Sequence, residues 1–144
     1  MPTSFTPKKT VLKGDPIRKE ARAGAPVTPG QLTDFNGDGE LVAHATAGGL
    51  AAKAFAAEQD YIGASIDYPC KTGDQVGYNV CRPGDEIFAF LAAGKSVAKG
   101  DFLESAGNGA LQGKSADGYP LARAIETVDN SAGSQPVRVK VEVL

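Results

Sequence analysis

The sequence predicts a mainly β fold: a small barrel-like body built from two related hairpin units, with an extended N-terminal arm. Three observations predict it. The 18 glycines and 9 prolines of this 144-residue chain are spread among short apolar runs, as turns between strands are. The chain matches itself at a shift of 70 residues, with ten identities over 32 positions when 23–54 is laid on 93–124. The C-terminus alternates, with Val137, Val139, Val141 and Val143 on one side and Arg138, Lys140 and Glu142 on the other. The length fits one domain, large enough to bury roughly 70% of its unfolded surface. We divide it into an arm, 1–20, and a body, 21–144.

The arm carries Pro2, Pro7 and Pro16 and no helical apolar period. Proline fixes φ and removes a donor, so an extended or irregular course is expected. Thr10-Val11-Leu12 has the makings of one short strand, of a kind that can lie along a neighbour's sheet edge. Charge is unevenly shared. Lys8, Lys9, Lys13, Arg18, Lys19 and Arg22 against Asp15 and Glu20 leave the first 22 residues at +4 on a chain of net −2. A basic leader on an acidic body points to contacts made by the leader, a solvated tail being the plainer alternative. The acidic whole argues against general nucleic-acid binding.

Each repeat reads as a hairpin. A short apolar segment ends in glycine (Val27-Thr28-Pro29-Gly30; Val97-Ala98-Lys99-Gly100), and a strand follows (Gln31 to Phe35; Asp101 to Ser105). Gly37-Asp38-Gly39 and Gly107-Asn108-Gly109 then reverse the chain, supplying the positive φ that tight hairpins need. The returning strands start at Leu41 and Leu111. The Ala-rich stretch 46–58 would suit a short helix, but its alignment with 116–128 favours loop then strand. Between the repeats, Asp74 to Arg82 alternates as a strand and Arg82-Pro83-Gly84-Asp85 is a turn. Glu86 to Ala93 (EIFAFLAA) suits a strand or one short helix; strand then turn is preferred.

Chemistry-bearing motifs are sparse. Asp34, Asn36 and Asp38 stand as in a calcium loop, but its twelfth position is Ala45 rather than a bidentate Glu. Ala89 to Ser96 approaches a phosphate-binding loop, with Ala89 where the first glycine must be. His44 is the sole histidine, and no catalytic arrangement can be argued around it. Cys70 and Cys81 make no metal spacing, and free thiols are expected. The four tyrosines form no stacking platform. We expect no catalytic, cofactor or metal site. The N-terminus shows no apolar signal-peptide region, and no apolar run has membrane-spanning length, so synthesis in a cytoplasm is expected.

Five stretches, in order, resemble the head decoration (cement) proteins of tailed bacteriophages. They are Lys13 to Ala21 (KGDPIRKEA), His44 to Gly49 (HATAGG), Thr72 to Val76 (TGDQV), Arg82 to Glu86 (RPGDE) and Lys99 to Gly107 (KGDFLESAG). The resemblance runs from about residue 10 to the end. It implies a small β-barrel or β-tulip-like body with an extended arm and no enzyme activity. It further implies homotrimers at three-fold and quasi-three-fold positions outside an expanded head, bridging major capsid protein subunits, on particles made in a bacterial cytoplasm. In that setting Phe5, Val11, Leu12 and Ile17 would anchor the arm while Lys8, Lys9, Lys13, Arg18 and Lys19 meet acidic capsid surface. No nucleic-acid or membrane partner and no cofactor is implied. A tail or baseplate component is the first alternative. A small barrel domain of an enzyme or carrier is the second, although a carrier needs a lysine at a hairpin tip and neither tip has one.

Overall fold

The structure, a computed structural model, describes residues 7–144, apart from the side chain of Tyr61. Thirteen strands run along it, with one 3-10 turn (Asp60–Ile62) and no α-helix among the described residues. They are β1 (Val11–Lys13), β2 (Ile17–Arg22), β3 (Thr33–Phe35), β4 (Leu41–Ala43), β5 (Ala54–Ala56) and β6 (Gln75–Val80). Then come β7 (Glu86–Leu91), β8 (Ser96–Val97), β9 (Phe102–Gly107), β10 (Ala110–Gly113), β11 (Ala122–Ala124), β12 (Val128–Asp129) and β13 (Val137–Val143). The Ala-rich 46–58 is loop then strand, as the repeat alignment predicts.

The second unit is a closed five-stranded barrel, β7-β10-β9-β11-β13, with β13 returning to pair β7 along its whole length. Valine alternation makes this possible. Val139, Val141 and Val143 are buried and pack with Ile87, Ala89, Leu91, Leu103 and Leu111 inside. The hairpin β9–β10 turns through Asn108 (φ 53°) and Gly109 (φ 76°), the two positive values of a type I′ turn.

The first unit repeats this wiring with fewer bonds. β2 pairs β6 as β7 pairs β13, β5 pairs β6 as β11 pairs β13, and β3 pairs β4 as β9 pairs β10. Where the second unit closes with ladders, the first has two isolated bridges, Ala23 to Leu41 and Leu32 to Phe55. Equivalent hydrogen bonds recur: Gly30 N–H to Ala56 O and Gly100 N–H to Ala124 O are both 2.8 Å. The hairpins correspond at a shift of 70, but β5 corresponds to β11 at 68, two residues off the sequence alignment.

One turn recurs. At 28–31, 71–74, 82–85 and 98–101 the third residue is a glycine with φ between 91° and 95°, as type II turns require. The fourth residue's N–H donates to the first residue's carbonyl, and its side chain (Gln31, Asp74, Asp85, Asp101) accepts the first residue's N–H at 2.9 Å. Each turn thereby satisfies its own backbone groups. A fifth turn, 92–95, has the glycine but ends in Lys95, which cannot accept.

The units share the larger of two cores; the smaller, formed by Ala23, Val27, Leu41, Ala56, Cys70 and Val76, lies within the first unit. Leu32 and Phe55 belong to the first unit yet lie fully buried among the barrel residues of the second. At the seam three backbone bonds form a ring, two of them crossing between the units: Leu32 N–H to Gly109 O (2.8 Å), Gly109 N–H to His44 O (2.9 Å) and, within the first unit, His44 N–H to Leu32 O (2.9 Å). Gly48 N–H to Ser105 O (2.8 Å) and Tyr119 N–H to Gly48 O (3.1 Å) cross it as well. A Cβ on Gly109 would come within 2.8 Å of Gln31, so only glycine fits at this tip.

β7 is apolar on both faces because both are covered. Ile87, Ala89 and Leu91 face the barrel; Phe88 and Phe90 lie under the Arg138 guanidinium, 5.5 and 4.0 Å from the ring centroids. Arg138 donates to Pro29 O (2.7 Å), Phe88 O (3.1 Å) and Ile66 O (2.7 Å), tying β13 to the first unit.

This packing separates two glycines in equivalent turns. A Cβ on Gly30 would stand 2.2 Å from Arg138 Nη1 and 2.5 Å from Phe88 O, whereas one on Gly100 meets nothing. Gly100→Ala is expected to cost about 1–2 kcal/mol, the price of a side chain at positive φ. Gly30→Ala adds the clash and should cost at least about 2 kcal/mol more. Urea denaturation of both variants measures the difference.

Candidate interaction surface

The described part of the segment expected as an arm is built into the body. Thr10 is fully buried: its N–H and Oγ1 donate to Glu58 Oε2 (3.0 and 2.7 Å), and its carbonyl accepts from Phe88 N–H (2.8 Å). β1 then pairs antiparallel with β7. The chain crosses Asp85, whose Oδ1 lies 3.3 Å from Asp15 N and would stand 2.0 Å from a Cβ on Gly14. It enters β2, which pairs with β6 at all six residues. The expected boundary at residue 20 therefore falls inside a strand, and residues 11–20 do not hang free.

The residues expected to bind are spread over both units. Phe5 lies outside the described residues. Lys8 and Lys9 are exposed just before Thr10. On β1, Val11 packs against the barrel core, Leu12 is half-buried and Lys13 exposed. On β2, Ile17 is 50% exposed, and Arg18 and Lys19 are exposed. Arg18 lies over Gly77, donates to Glu58 O (3.3 Å) and stands 3.8 Å from Asp60. Arg22 stands 3.5 Å from Glu40. Among the described residues no carboxylate lies within ion-pair distance of Lys13 or Lys19. Beside β2, Phe35 (49% exposed) meets Tyr78 edge-on at 5.7 Å.

The remaining polar clusters hold the fold. His44 Nε2 lies 3.1 Å from Leu50 O, a pure acceptor, so that nitrogen carries the proton; Nδ1 accepts from Ser105 Oγ at 2.7 Å. This Ser–His pair is buried (0% and 2% exposed) and donates its proton to a backbone carbonyl, not a carboxylate. Asn36 Oδ1 accepts from Asp38 N–H and Glu40 N–H, so the calcium-like stretch is spent on its own turn. Ala89 to Leu91 of the phosphate-loop-like stretch is barrel strand, without a helix after Lys95. Among the described residues no three His, Cys, Asp or Glu side chains gather as a metal site. Cys70 and Cys81 are free thiols; burial raises both, Cys81 to about 12. Cys70 precedes β6 in a loop, and its sulfur accepts from Val27 N–H.

No protein-family model matches the chain, and no curated protein matches it. Among solved structures it is similar to the crystal structure of the head fiber gp8.5 N base of bacteriophage phi29. The TM-score is 0.59 at 15% sequence identity, over 89% of this chain and 93% of that one. The likeness is one of fold.

Two outcomes follow from the buried carboxylates. Glu58→Ala strands two donors of Thr10, and about 2 kcal/mol should be lost, a fall in unfolding temperature of roughly 4–8 °C measurable by calorimetry. Burial pushes the Glu104 carboxyl up, but hydrogen bonds from Ser115 N–H and Gln112 Nε2 outweigh it and hold the group below its ordinary value. A depressed folded value gives stability that is present above the ordinary carboxylate range and lost as pH falls through it. Between about pH 5 and pH 3 the urea midpoint of the native chain should therefore fall more steeply than that of Glu104→Gln.

Proposed function

We propose that this chain is a decoration protein of a tailed-phage head. It binds the outside of the expanded shell as a homotrimer, at three-fold and quasi-three-fold positions, and bridges major capsid protein subunits. The observation that carries this reading is the shared fold, over nearly the whole of both chains, with the base of a phage head fiber. The five ordered stretches that resemble decoration proteins support it independently. The architecture suits the task. A closed barrel with self-satisfied turns is a stiff body, and it has no need of a cofactor. Binding only the expanded lattice stabilises that lattice by mass action, and three-fold repetition turns modest contacts into avidity. The fiber-base likeness favours a second form of the same idea, in which the chain is the foot of a head-attached appendage.

The test is co-sedimentation of purified protein with expanded and unexpanded shells. Binding to expanded shells alone, with a raised temperature of shell disruption, is expected; equal binding to neither or to both rejects the reading. A truncation distinguishes arm from body. Removing residues 1–9 stops ahead of Thr10 and should leave the circular dichroism and unfolding temperature unchanged while lowering shell occupancy. Removing 1–20 deletes β1 and most of β2 and should unfold the first unit.

A further inference from the structure

We infer that the outer edge of β2 is a docking site for an extended, acidic segment of another protein, added as one more strand. The inference deepens the proposed function and rests on it for the existence of a partner, although its test does not.

The argument starts from which way the backbone points. Ala23 N–H bonds to Asp74 O, on the β6 side, and Gly24 N–H bonds to Leu41 O, on the other. Alternation back along the strand turns the backbone groups of Ala21, Lys19 and Ile17 toward β6. Those of Arg22, Glu20 and Arg18 point away from it. Among the described residues no group bonds to the N–H or C=O of these three.

The second unit shows what such an edge takes. Ala92 N–H to Leu111 O is the counterpart of Gly24 N–H to Leu41 O, which sets β2 on β7 at a shift of 68. Glu20 then stands where Phe88 stands. The outward N–H of Phe88 is bonded to Thr10 O, and β1 runs antiparallel along that edge. Among the described residues, the same chain therefore fills this edge in one unit with its own extended segment and leaves it open in the other. An open edge is a template for strand addition, with backbone bonds giving affinity and side chains giving selectivity.

Charge selects the occupant. β2 itself carries Arg18, Lys19 and Arg22 against Glu20; Arg18 and Arg22 stand near Asp60 and Glu40, while Lys19 has no carboxylate partner among the described residues. A second copy's own basic leader is repelled here, while an acidic strand is attracted. Ile17 and Phe35, both half exposed, give its apolar positions a shoulder to rest on.

The probe is a capped hexapeptide of alternating Glu and Val, with a Lys–Val counterpart as control, titrated into the full chain and read by amide hydrogen exchange. The Glu peptide should slow exchange at Arg18, Glu20 and Arg22 at least tenfold and leave Lys19 and Ala21, already bonded to β6, unchanged. Glu20→Pro removes one outward donor that no described residue uses, as edge strands tolerate. It should keep the native exchange pattern elsewhere and bind the Glu peptide at least tenfold more weakly. If the three amides are unaffected, or both peptides act alike, the edge is merely guarded by its charges and the inference falls. Shell binding that survives Glu20→Pro unchanged would likewise remove the edge as the contact while leaving the decoration reading intact.

Discussion

The small ring of backbone hydrogen bonds joining Leu32, His44 and Gly109 is the constraint on which the molecule depends. It seats the hairpin tip of one unit between two strands of the other, at a point where any side chain would collide. Around it, His44 and Ser105 satisfy each other out of reach of water. Leu32 and Phe55 cross into the neighbouring barrel. If the seam opens, the larger core loses Leu32 and Phe55, which the first unit supplies to it.

Local chemistry made much of the fold legible. Asn108-Gly109 gives the tight turn, the valine alternation gives β13, and the common glycine spacing gives the duplication. These signals lie within a few residues of one another. The pairing of β2 with β6 joins segments some 58 residues apart, and Ile17 to Arg22 shows little apolar alternation to betray it. Charge and proline content there suggest a loose leader. The clue that could have corrected this is the correspondence of β2 with β7, hidden by a two-residue slip between hairpin and flanking strands. Glu86 to Leu91 was ambiguous because its second apolar face is covered by a guanidinium from the far end of the chain.

The candidate surface was half legible for the same reason. The basic residues were identifiable by charge alone, but their division between two strands on two units is a tertiary fact. Thr10 and Glu58 were invisible in this role: a lone threonine and a lone glutamate carry no pattern until the fold sets them 2.7 Å apart.

The fastening at Thr10 also governs how tension would travel through the molecule. A pull on the residues ahead of it meets the barrel through Phe88 and the other half through Glu58 at the same instant. Along the strand axis that load is borne in shear by several bonds together instead of peeling them one after another. A tether attached there would load both halves through a single residue.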